Sequence, residues 1–373
     1  SKAKHFLNNL RRRSVAAINV FLPLIFGELK SDTLEIPIVY DYFAMLKTSY
    51  WRLVKCFIIA GVLTVVVNIL LNKKAQPKTD LSTPSPLSQE LYKVISPETY
   101  KYVLNHVSVC KERSPFLVLM VPVAPSDGLS RDAIRKTWGR PGLISNVDIL
   151  TMFYVGLPAE GQSSHIQQDL EKESKEHADI IQMDFLDSYH NLTIKSMMIM
   201  NWLATHCQGA SYAMKVDTDI FVNVFYLVNK LLVGGGPLRH KYITGSVISD
   251  GRPRRDRKSK WHLSEDIYPE DTFPPYVSGA GYVFSIDLAN RISWASRFVR
   301  PIPLEDVYVG LCLRVLGVRP VYSQTLLPPR NLFEINRLDY ETCTYATRVI
   351  VTGFKPHELL DIWGDFQKSH LTC

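Results

Sequence analysis

The sequence lacks the compositional bias that marks a disordered chain, and it contains no motif typical of nucleic-acid-binding proteins. Of its 373 residues, 46% are hydrophobic and 21% are charged, as in ordinary globular proteins. The net charge of +7 arises largely in residues 1–55, where nine Lys and Arg stand against four Asp and Glu. The chain is therefore long enough for one large domain or two small ones, and most of its basic character lies outside that folded part.

A second basic cluster lies far along the chain, in a segment that also contains Gly251 and Pro253. Its members are Arg252, Arg254, Arg255, Arg257, Lys258 and Lys260. Clustered cations can contact nucleic acid, but glycine and proline favour an exposed loop over a recognition helix. We interpret the cluster as a solvated loop and expect no nucleic-acid partner.

Long apolar runs are scarce, and only 56–71 is close to membrane length. Its sixteen residues are uncharged and flanked by Lys and Arg, and together with the adjoining positions they approach the roughly 20 residues that cross a bilayer. A buried core helix is the alternative, but a polar stretch rich in Pro, Ser and Thr follows, which is typical of a stem. The apolar segment 15–26 is too short to span. The sequence therefore predicts a cytosolic tail (1–50), a transmembrane signal anchor (51–72), a stem (73–108) and a lumenal domain (109–373).

The orientation of this anchor depends on features on both sides of it. Basic residues in the tail, Arg11, Arg12, Arg13 and Lys47, favour a cytosolic N-terminus. Five cysteines and the glycosylation sequon Asn191-Leu192-Thr193 follow the anchor, which agrees with a lumenal domain. A lone sequon is common by chance and adds little by itself.

Apolar runs alternate with amphipathic segments after the stem. The run 115–123 predicts a buried strand of a parallel sheet, and Ser130 begins a predicted helix over 130–138. Further strands are predicted at 147–156, 179–182 and 211–216, and helices at about 163–177 and 193–206. This alternation predicts an α/β fold with a mostly parallel sheet flanked by helices.

Asp217 and Asp219 follow the strand predicted at 211–216. Residues i and i+2 of an extended chain share a face, so both carboxylates project into one cleft at the carboxyl end of a strand, where ligands of α/β sheets bind. Adjacent carboxylates repel each other unless a cation lies between them, and hard oxygen ligands favour Mn²⁺ or Mg²⁺. The pair predicts a metal site completed by a diphosphate, although most isolated Asp-x-Asp triplets are turns or helix caps.

Five sequence blocks, in a fixed order, cover most of the predicted lumenal domain. They are RDAIRKTWG (131–139), DFLDSYHNLTIKSMM (184–198), MKVDTDIFVN (214–223), YPEDTFPPYVSGAGYVFS (268–285) and LEDVYVGLCL (304–313). Together they resemble the β1,3-galactosyltransferase family, glycosyltransferase family 31. The resemblance implies a GT-A type fold and a type II anchor in the Golgi membrane. It also implies an inverting, metal-dependent transfer of galactose from UDP-galactose, in β1,3 linkage, to an N-acetylhexosamine-terminated glycan of a glycoprotein or glycolipid.

The resemblance assigns roles to two acidic pairs. Asp217 and Asp219 are expected to hold the Mn²⁺ (or Mg²⁺) that bridges the UDP phosphates, with Asp219 as the more direct ligand. Glu305 and Asp306, at the start of a helix predicted over 307–316, match the family's acidic pair, in which the second carboxylate is the general base. An inverting transfer needs one base to take the proton of the acceptor hydroxyl, and no covalent nucleophile. Complementing the helix dipole is the alternative role of this pair.

Other residues are expected near the two sugars. Arg131 and Arg135 lie one helical turn apart and either contact uracil, ribose or phosphate or form surface ion pairs. Gly279 and Gly281 either let the backbone approach a ligand or form a simple turn. The remaining candidates are Lys215 for the donor, and Trp261 and Tyr276 for the acceptor, these two aromatics being core residues otherwise.

The sequence departs from the family pattern in the segment before Lys355-Pro356. Related enzymes often carry a His there, thought to add a metal ligand, whereas this chain has Thr352, and His357 is the nearest substitute. A non-catalytic, glycan-binding relative is therefore one alternative function. The other is a β1,3-transferase that uses UDP-GalNAc or UDP-GlcNAc with the same residues.

The cysteines show a second departure. Many family members carry a Cys where Val277 stands, so Cys312 is expected to be free and buried. On resemblance and parity, we expect the disulfides Cys343–Cys373 and Cys110–Cys207.

Overall fold

The computed structural model describes residues 100–159, 163–234, 236–322 and 339–373, and the single residues 61, 64 and 333. The predicted tail (1–50), nearly all of the predicted anchor (51–72) and most of the predicted stem (73–108) lie outside the described residues. No helix in the described ranges is both long enough and apolar enough to cross a membrane. The domain boundaries stay predictions.

A mixed sheet of eight strands forms the centre of the described part. In chain order its strands are β1 (Tyr102–Leu104), β2 (Leu117–Pro122), β3 (Ile149–Leu157), β4 (Ile180–Leu186), β5 (Tyr212–Val216), β7 (Ile243–Ile248), β8 (Tyr276–Ser285) and β9 (Val321–Tyr322). Their spatial order is β1-β4-β3-β2-β5-β8-β7-β9. The four strands from β4 to β5 are parallel, and β8 runs antiparallel to β5. A separate antiparallel pair joins β6 (Ile220–Val222) to β10 (Ile350–Thr352). The predicted α/β fold with a mostly parallel sheet is confirmed.

Helices cover both faces of the sheet. They are α1 (Ser108–Lys111), α2 (Gly128–Lys136), α3 (Ser163–His177), α4 (Leu192–His206), α5 (Val224–Tyr226), α6 (Ile286–Ala295), α7 (Glu305–Val315), α8 (Thr342–Ala346) and α9 (Pro356–Ser369). Single 3₁₀ turns occupy Tyr189–Asn191, Ser296–Phe298 and His370–Thr372, and a π-helical turn occupies Leu227–Leu232. The α2 helix begins two residues before the predicted Ser130, because the carboxylate of Asp127 accepts a hydrogen bond from the Ser130 N–H and caps it.

Two hydrophobic cores lie on opposite faces of the sheet. Side chains of β2 alternate between them, and all six residues of this strand are buried, as the continuous apolar run predicts. One core packs α4, α6 and α7 against the sheet, and the other packs α2, α3 and α9. The sheet is therefore buried between helical layers. Ligands of α/β sheets bind at the carboxyl edge, which is where β2 and β5 end.

The two predicted disulfides are present. Cys110–Cys207 joins α1 to the end of α4, and Cys343–Cys373 joins α8 to the C-terminal residue. Cys312 is free and buried, as predicted. The bridges close loops of 97 and 30 residues, so each restricts the unfolded chain and stabilises the fold.

Candidate active site

Asp217 and Asp219 lie directly after β5, at the carboxyl edge of the sheet. The N–H of Asp217 donates to the carbonyl of Ala280 in β8 at 3.1 Å, which holds the turn against that strand. The carbonyl of Asp219 accepts hydrogen bonds from the N–H groups of Gly353 and Phe354, at 2.9 and 3.0 Å. The Asp219 side chain is exposed and that of Asp217 is 42% exposed. The surrounding protein nevertheless partly desolvates its carboxyl group, which is the first cause of a raised pKa at Asp219, and the charge of Asp217 is the second.

Lys215 links this turn to the rest of the site through a buried ammonium group. Its Nζ lies 2.7 Å from Oδ1 of Asp217 and 2.9 Å from Oε1 of Glu305, and it donates to the carbonyl of Gly279. The contact with Glu305 is a buried ion pair. Burial acts to lower the pKa of Lys215, but the charges of Asp217 and Glu305 outweigh it and raise this pKa above the ordinary value. The group is therefore a fixed cation that organises three segments of the site.

Glu305 and Asp306 begin α7 and differ in exposure. Glu305 is 6% exposed, and its Oε2 accepts a hydrogen bond from Ser196 at 3.0 Å. Asp306 is half-buried, and its Oδ2 accepts the N–H of Gly279 at 3.2 Å. Burial is the first cause of a raised pKa in both carboxyl groups, although Lys215 opposes it at Glu305. Asp306 is the carboxylate that solvent and a ligand can reach, and Glu305 is held within the protein.

The glycines of β8 lie between the two acidic pairs. A Cβ atom on Gly279 would lie 2.8 Å from Oε1 of Glu305, and one on Gly281 would lie 3.1 Å from Cδ1 of Ile350. Real Cβ atoms essentially never approach another heavy atom as closely as the first distance. A side chain at position 279 would therefore displace the Glu305 carboxylate. The simple-turn alternative is wrong, because both glycines lie within a strand.

Tyr276 lies near Asp306, and Trp261 is connected to the acidic residues through Tyr189. The pKa of Tyr276 is raised to about 12 by burial and by the charges of Asp306 and Asp250, with Arg254 acting in the opposite direction. Trp261 is 41% exposed, so it is not a core residue. Its indole is a hydrogen-bonding neighbour of Tyr189, whose pKa is raised first by burial and then by the charges of Asp306, Asp217 and Glu305. Both aromatic residues thus border the cleft that contains the acidic pairs.

Arg131 and Arg135 of α2 form an ion-pair network with Glu173 and Asp179. Arg131 is 2% exposed and pairs with Glu173 at 2.7 Å, while donating to the carbonyls of Ala124 and Pro125. Arg135 pairs with Glu173 at 2.7 Å and with Asp179 at 2.8 Å. These contacts use most of the donors of both guanidinium groups. Of the two predicted roles, donor binding or ion pairing, the structure shows ion pairs. These pairs are more buried than surface ion pairs.

Comparison with known proteins places this arrangement among the sugar-transferring enzymes. The family model described as Galactosyltransferase matches residues 129–324, which include both acidic pairs, Lys215 and the glycines of β8. The chain belongs to this family. The match agrees with the five blocks read from the sequence and with the GT-A type arrangement that they imply.

Two relatives from the galactosyltransferase family extend this similarity. Beta-1,3-galactosyltransferase 2 of Homo sapiens is 42% identical over 277 residues, which are 74% of this chain and 64% of that protein. Beta-1,3-galactosyltransferase 1 of Mus musculus is 41% identical over 280 residues, which are 75% of this chain and 82% of that protein. This chain thus spans less than two thirds of the length of the first relative. Among solved structures, the galactosyltransferase LgtC in complex with donor and acceptor sugar analogs matches 66% of this chain and 95% of its own. The TM-score of 0.33 and the identity of 9% are too low to indicate a function.

Three side chains within the second family block were not singled out from the sequence. Lys195 of α4 is 2% exposed and its Nζ contacts both carboxylate oxygens of Asp187, at 2.7 and 2.8 Å, and the carbonyl of Val123 at the end of β2. Burial lowers the pKa of Lys195, while Asp187 opposes this effect. The neighbouring Ser196 donates to Glu305. The sequence does contain a signal for them, because Lys195 and Ser196 are polar residues among the apolar positions of a helix that is predicted to pack against the sheet.

The sequon of the same block has structural partners in the fold. The side-chain amide of Asn191 donates to the carbonyl of Leu186 at 2.8 Å. The hydroxyl of Thr193 is buried and donates to the carbonyl of Ile302 at 2.6 Å. A glycan replaces only one of the two hydrogens of this amide, so the hydrogen bond to Leu186 does not exclude it, and glycosylation at Asn191 stays a prediction.

Thr352, where related enzymes often have a His, lies next to the metal candidates. In the pair of strands β10 and β6, Thr352 lies opposite Ile220, which directly follows Asp219. His357, by contrast, is exposed on α9. In the described ranges, no group of three or more His, Cys, Asp and Glu side chains is arranged to hold a metal by itself. Two carboxylates from one turn nevertheless fit a hard divalent cation, because Mg²⁺ is commonly held by one or two carboxylates together with substrate phosphates.

Proposed function

We propose that this chain is a hexosyltransferase that transfers galactose from UDP-galactose, with inversion, to position 3 of an N-acetylhexosamine at the end of a glycan on a glycoprotein or glycolipid. The observation that carries this proposal is the arrangement of the two acidic pairs on either side of Gly279. An accessible pair follows β5, and the reachable carboxylate of Asp306 begins α7. Family membership and the names of the relatives favour galactose over other sugars.

The accessible acidic pair, Asp217 and Asp219, suits the diphosphate of the donor. Asp217 and Asp219 would hold Mn²⁺ or Mg²⁺, which supplies positive charge for the departing UDP when it is bound. Lys215 fixes the carboxylate of Asp217 at 2.7 Å and also holds the backbone of Gly279 beside it. The chain thereby keeps the donor end of the cleft in one geometry before a substrate arrives.

Asp306 suits the acceptor end, where a proton must be removed. Its carboxylate takes the proton of the acceptor hydroxyl as that oxygen bonds to the anomeric carbon and the bond from this carbon to the UDP oxygen breaks. A raised pKa makes Asp306 a stronger base than an ordinary aspartate once it is ionised. Glu305 cannot take this role, because its carboxylate is buried and paired with Lys215.

The proposed location is the Golgi membrane, with the catalytic domain in the lumen. The two disulfides support an oxidising compartment, where such bridges persist. The apolar run 56–71 and the polar stretch after it support an anchor with a stem. Immunofluorescence of the tagged full chain, with protease protection of the tag at either end, tests both the compartment and the orientation.

The function is tested with the full chain purified in detergent. It is incubated with Mn²⁺, with UDP-galactose, UDP-GalNAc or UDP-GlcNAc, and with an array of N-acetylhexosamine-terminated glycans. We expect galactose to be transferred, and Asp219→Ala and Asp306→Asn to lose this activity. Asp361→Asn is the matched control, since Asp361 is exposed on α9. Transfer of another sugar in place of galactose would overturn the donor, and full activity of either site variant would overturn the site.

A further inference from the structure

The basic loop 250–262 carries cations that are not paired with a carboxylate of the described residues. Arg255 donates instead to the carbonyls of Leu263 and Tyr268, both at 2.8 Å. Arg254 and Lys260 are exposed, and neither forms an ion pair with any described residue. Without an anionic partner in the described part of the chain, both charges are available to an anion from solution.

Trp261 holds these two charges in place. The guanidinium carbon of Arg254 lies 5.0 Å from the centroid of the indole ring, and Nζ of Lys260 lies 4.6 Å from it. Both distances are typical of cation–π contacts. Trp261 therefore contacts two cations, and its stacking on an acceptor sugar stays a prediction.

The loop is fixed beside the proposed general base. Gly251 packs on Tyr276 so closely that a Cβ atom would lie 2.7 Å from Cε1 of the ring. On its other side, Tyr276 packs on Gly310 of α7, where a Cβ atom would lie 2.6 Å from the tyrosine Cβ. The ring thus connects the basic loop to the helix that begins with Glu305 and Asp306. Arg254 and Asp306 both influence the Tyr276 hydroxyl, so this cation of the loop lies near the proposed general base.

We propose that Arg254 and Lys260, held against Trp261, bind an anionic substituent of the acceptor glycan, a carboxylate or a sulfate, while the reacting hydroxyl lies at Asp306. This inference rests on the proposed function and specifies its acceptor. Binding of the donor diphosphate by these cations is the alternative, and the KM for UDP-galactose distinguishes the two. Both cations lie within 5.0 Å of the centroid of one aromatic ring, and a guanidinium and an ammonium together provide several donors for anionic oxygens.

The test compares three acceptors at saturating UDP-galactose with the full chain in detergent. They are a neutral N-acetylglucosamine-terminated oligosaccharide, its sulfated form and a form with a sialic acid branch. We expect a KM about fivefold lower for at least one anionic acceptor, with similar kcat, and a loss of this difference at high salt. The double variant R254Q/K260Q should abolish the difference. R257Q/K258Q is the matched control, since it removes two exposed cations of the same loop that do not contact Trp261, and it should retain the difference.

Three results would overturn the inference. One is an equal KM for the neutral and both anionic acceptors in the unmodified chain. A second is an equal effect of the two double variants, and a third is a rise in the KM for UDP-galactose alone in R254Q/K260Q. If no acceptor receives galactose, the proposed function fails, and titration of the same oligosaccharides into Asp306→Asn without donor still measures whether the loop prefers an anion.

Discussion

Gly279 lies so close to Glu305 that a Cβ atom on the glycine would be 2.8 Å from Oε1 of the carboxylate. The same Cβ would be 3.6 Å from Oδ2 of Asp306. Gly279→Ala should therefore displace Glu305 from Lys215 and tilt the general base, and we expect kcat to fall about 100-fold, since a 1 Å displacement can have such an effect. Steady-state kinetics measure it. Gly364→Ala in α9, where a Cβ meets nothing within 4 Å, is the control and should retain full activity. An unchanged kcat in Gly279→Ala would contradict the proposed geometry.

Lys215→Met should destabilise the protein strongly. The substitution leaves Glu305 buried without its cation, and breaking such a pair costs about 3–5 kcal/mol. Urea unfolding followed by tryptophan fluorescence measures the change. Lys136→Met removes an exposed ion pair with Asp132 and should cost less than about 1 kcal/mol.

The double variant Lys215→Met/Glu305→Gln separates charge from packing. A neutral amide at position 305 no longer needs a cation, so the double variant should be more stable than Lys215→Met alone. If the two variants are equally unstable, the loss comes from packing of the lysine side chain and the role of the ion pair is refuted.

Asp306→Asn should separate activity from stability. We expect kcat to fall by about 10²- to 10⁴-fold, because the general base is lost. The raised pKa of Asp306 means that its contribution to stability is greatest below the unfolded-state pKa and is lost as the pH rises through the folded-state pKa. At neutral pH the amide should therefore leave the melting temperature unchanged or raise it. A large decrease in melting temperature would indicate a structural role instead.

The same raised pKa predicts the pH dependence of the reaction. The base acts only when it is ionised, so kcat/KM should fall as the pH falls through the pKa of Asp306, at a higher pH than for an ordinary aspartate. The pH profile of kcat/KM, measured with a neutral acceptor, checks this point. The residual kcat/KM of Asp306→Asn should not show this decrease at acidic pH. If the variant shows the decrease at the same pH as the unmodified chain, another group causes it.

Thr352→His should strengthen the proposed metal site. Thr352 lies beside Ile220, next to Asp219, so an imidazole there adds a ligand near the two carboxylates. We expect the Mn²⁺ concentration for half-maximal activity to fall about tenfold, which corresponds to about 1.4 kcal/mol. His357→Ala should leave this concentration unchanged, because His357 is exposed on α9. A shift in His357→Ala would identify it as the substitute ligand.

Periodicity predicted much of the parallel part of the fold. The buried run 115–123 contains β2, and the amphipathic segment 163–177 matches α3 in both bounds. The antiparallel placement of β8 beside β5 was not predicted, because strand pairing over such a separation leaves no local pattern. The predicted strand 179–182 is also too short, since β4 continues through partly polar residues to Leu186.

The candidate site was predicted less completely than the fold. Sequence spacing placed Asp217 and Asp219 together, since neighbours on one strand need no tertiary information. The function of Lys215 as a common partner of Asp217 and Glu305 depends on three separate segments that meet in space. For the same reason, the pairing of Arg135 with Asp179, 44 residues away, could not be read from the helix alone.

Tyr276 lies between two glycines, Gly251 of the basic loop and Gly310 of the helix that begins with the acidic pair. This attachment depends on the absence of side chains at 251 and 310 and not on the outward residues of the loop. Positions 254 and 260 can therefore change during evolution without loosening the attachment or moving Asp306. Paralogues of one catalytic design could in this way diverge in the glycans they modify through a few surface substitutions.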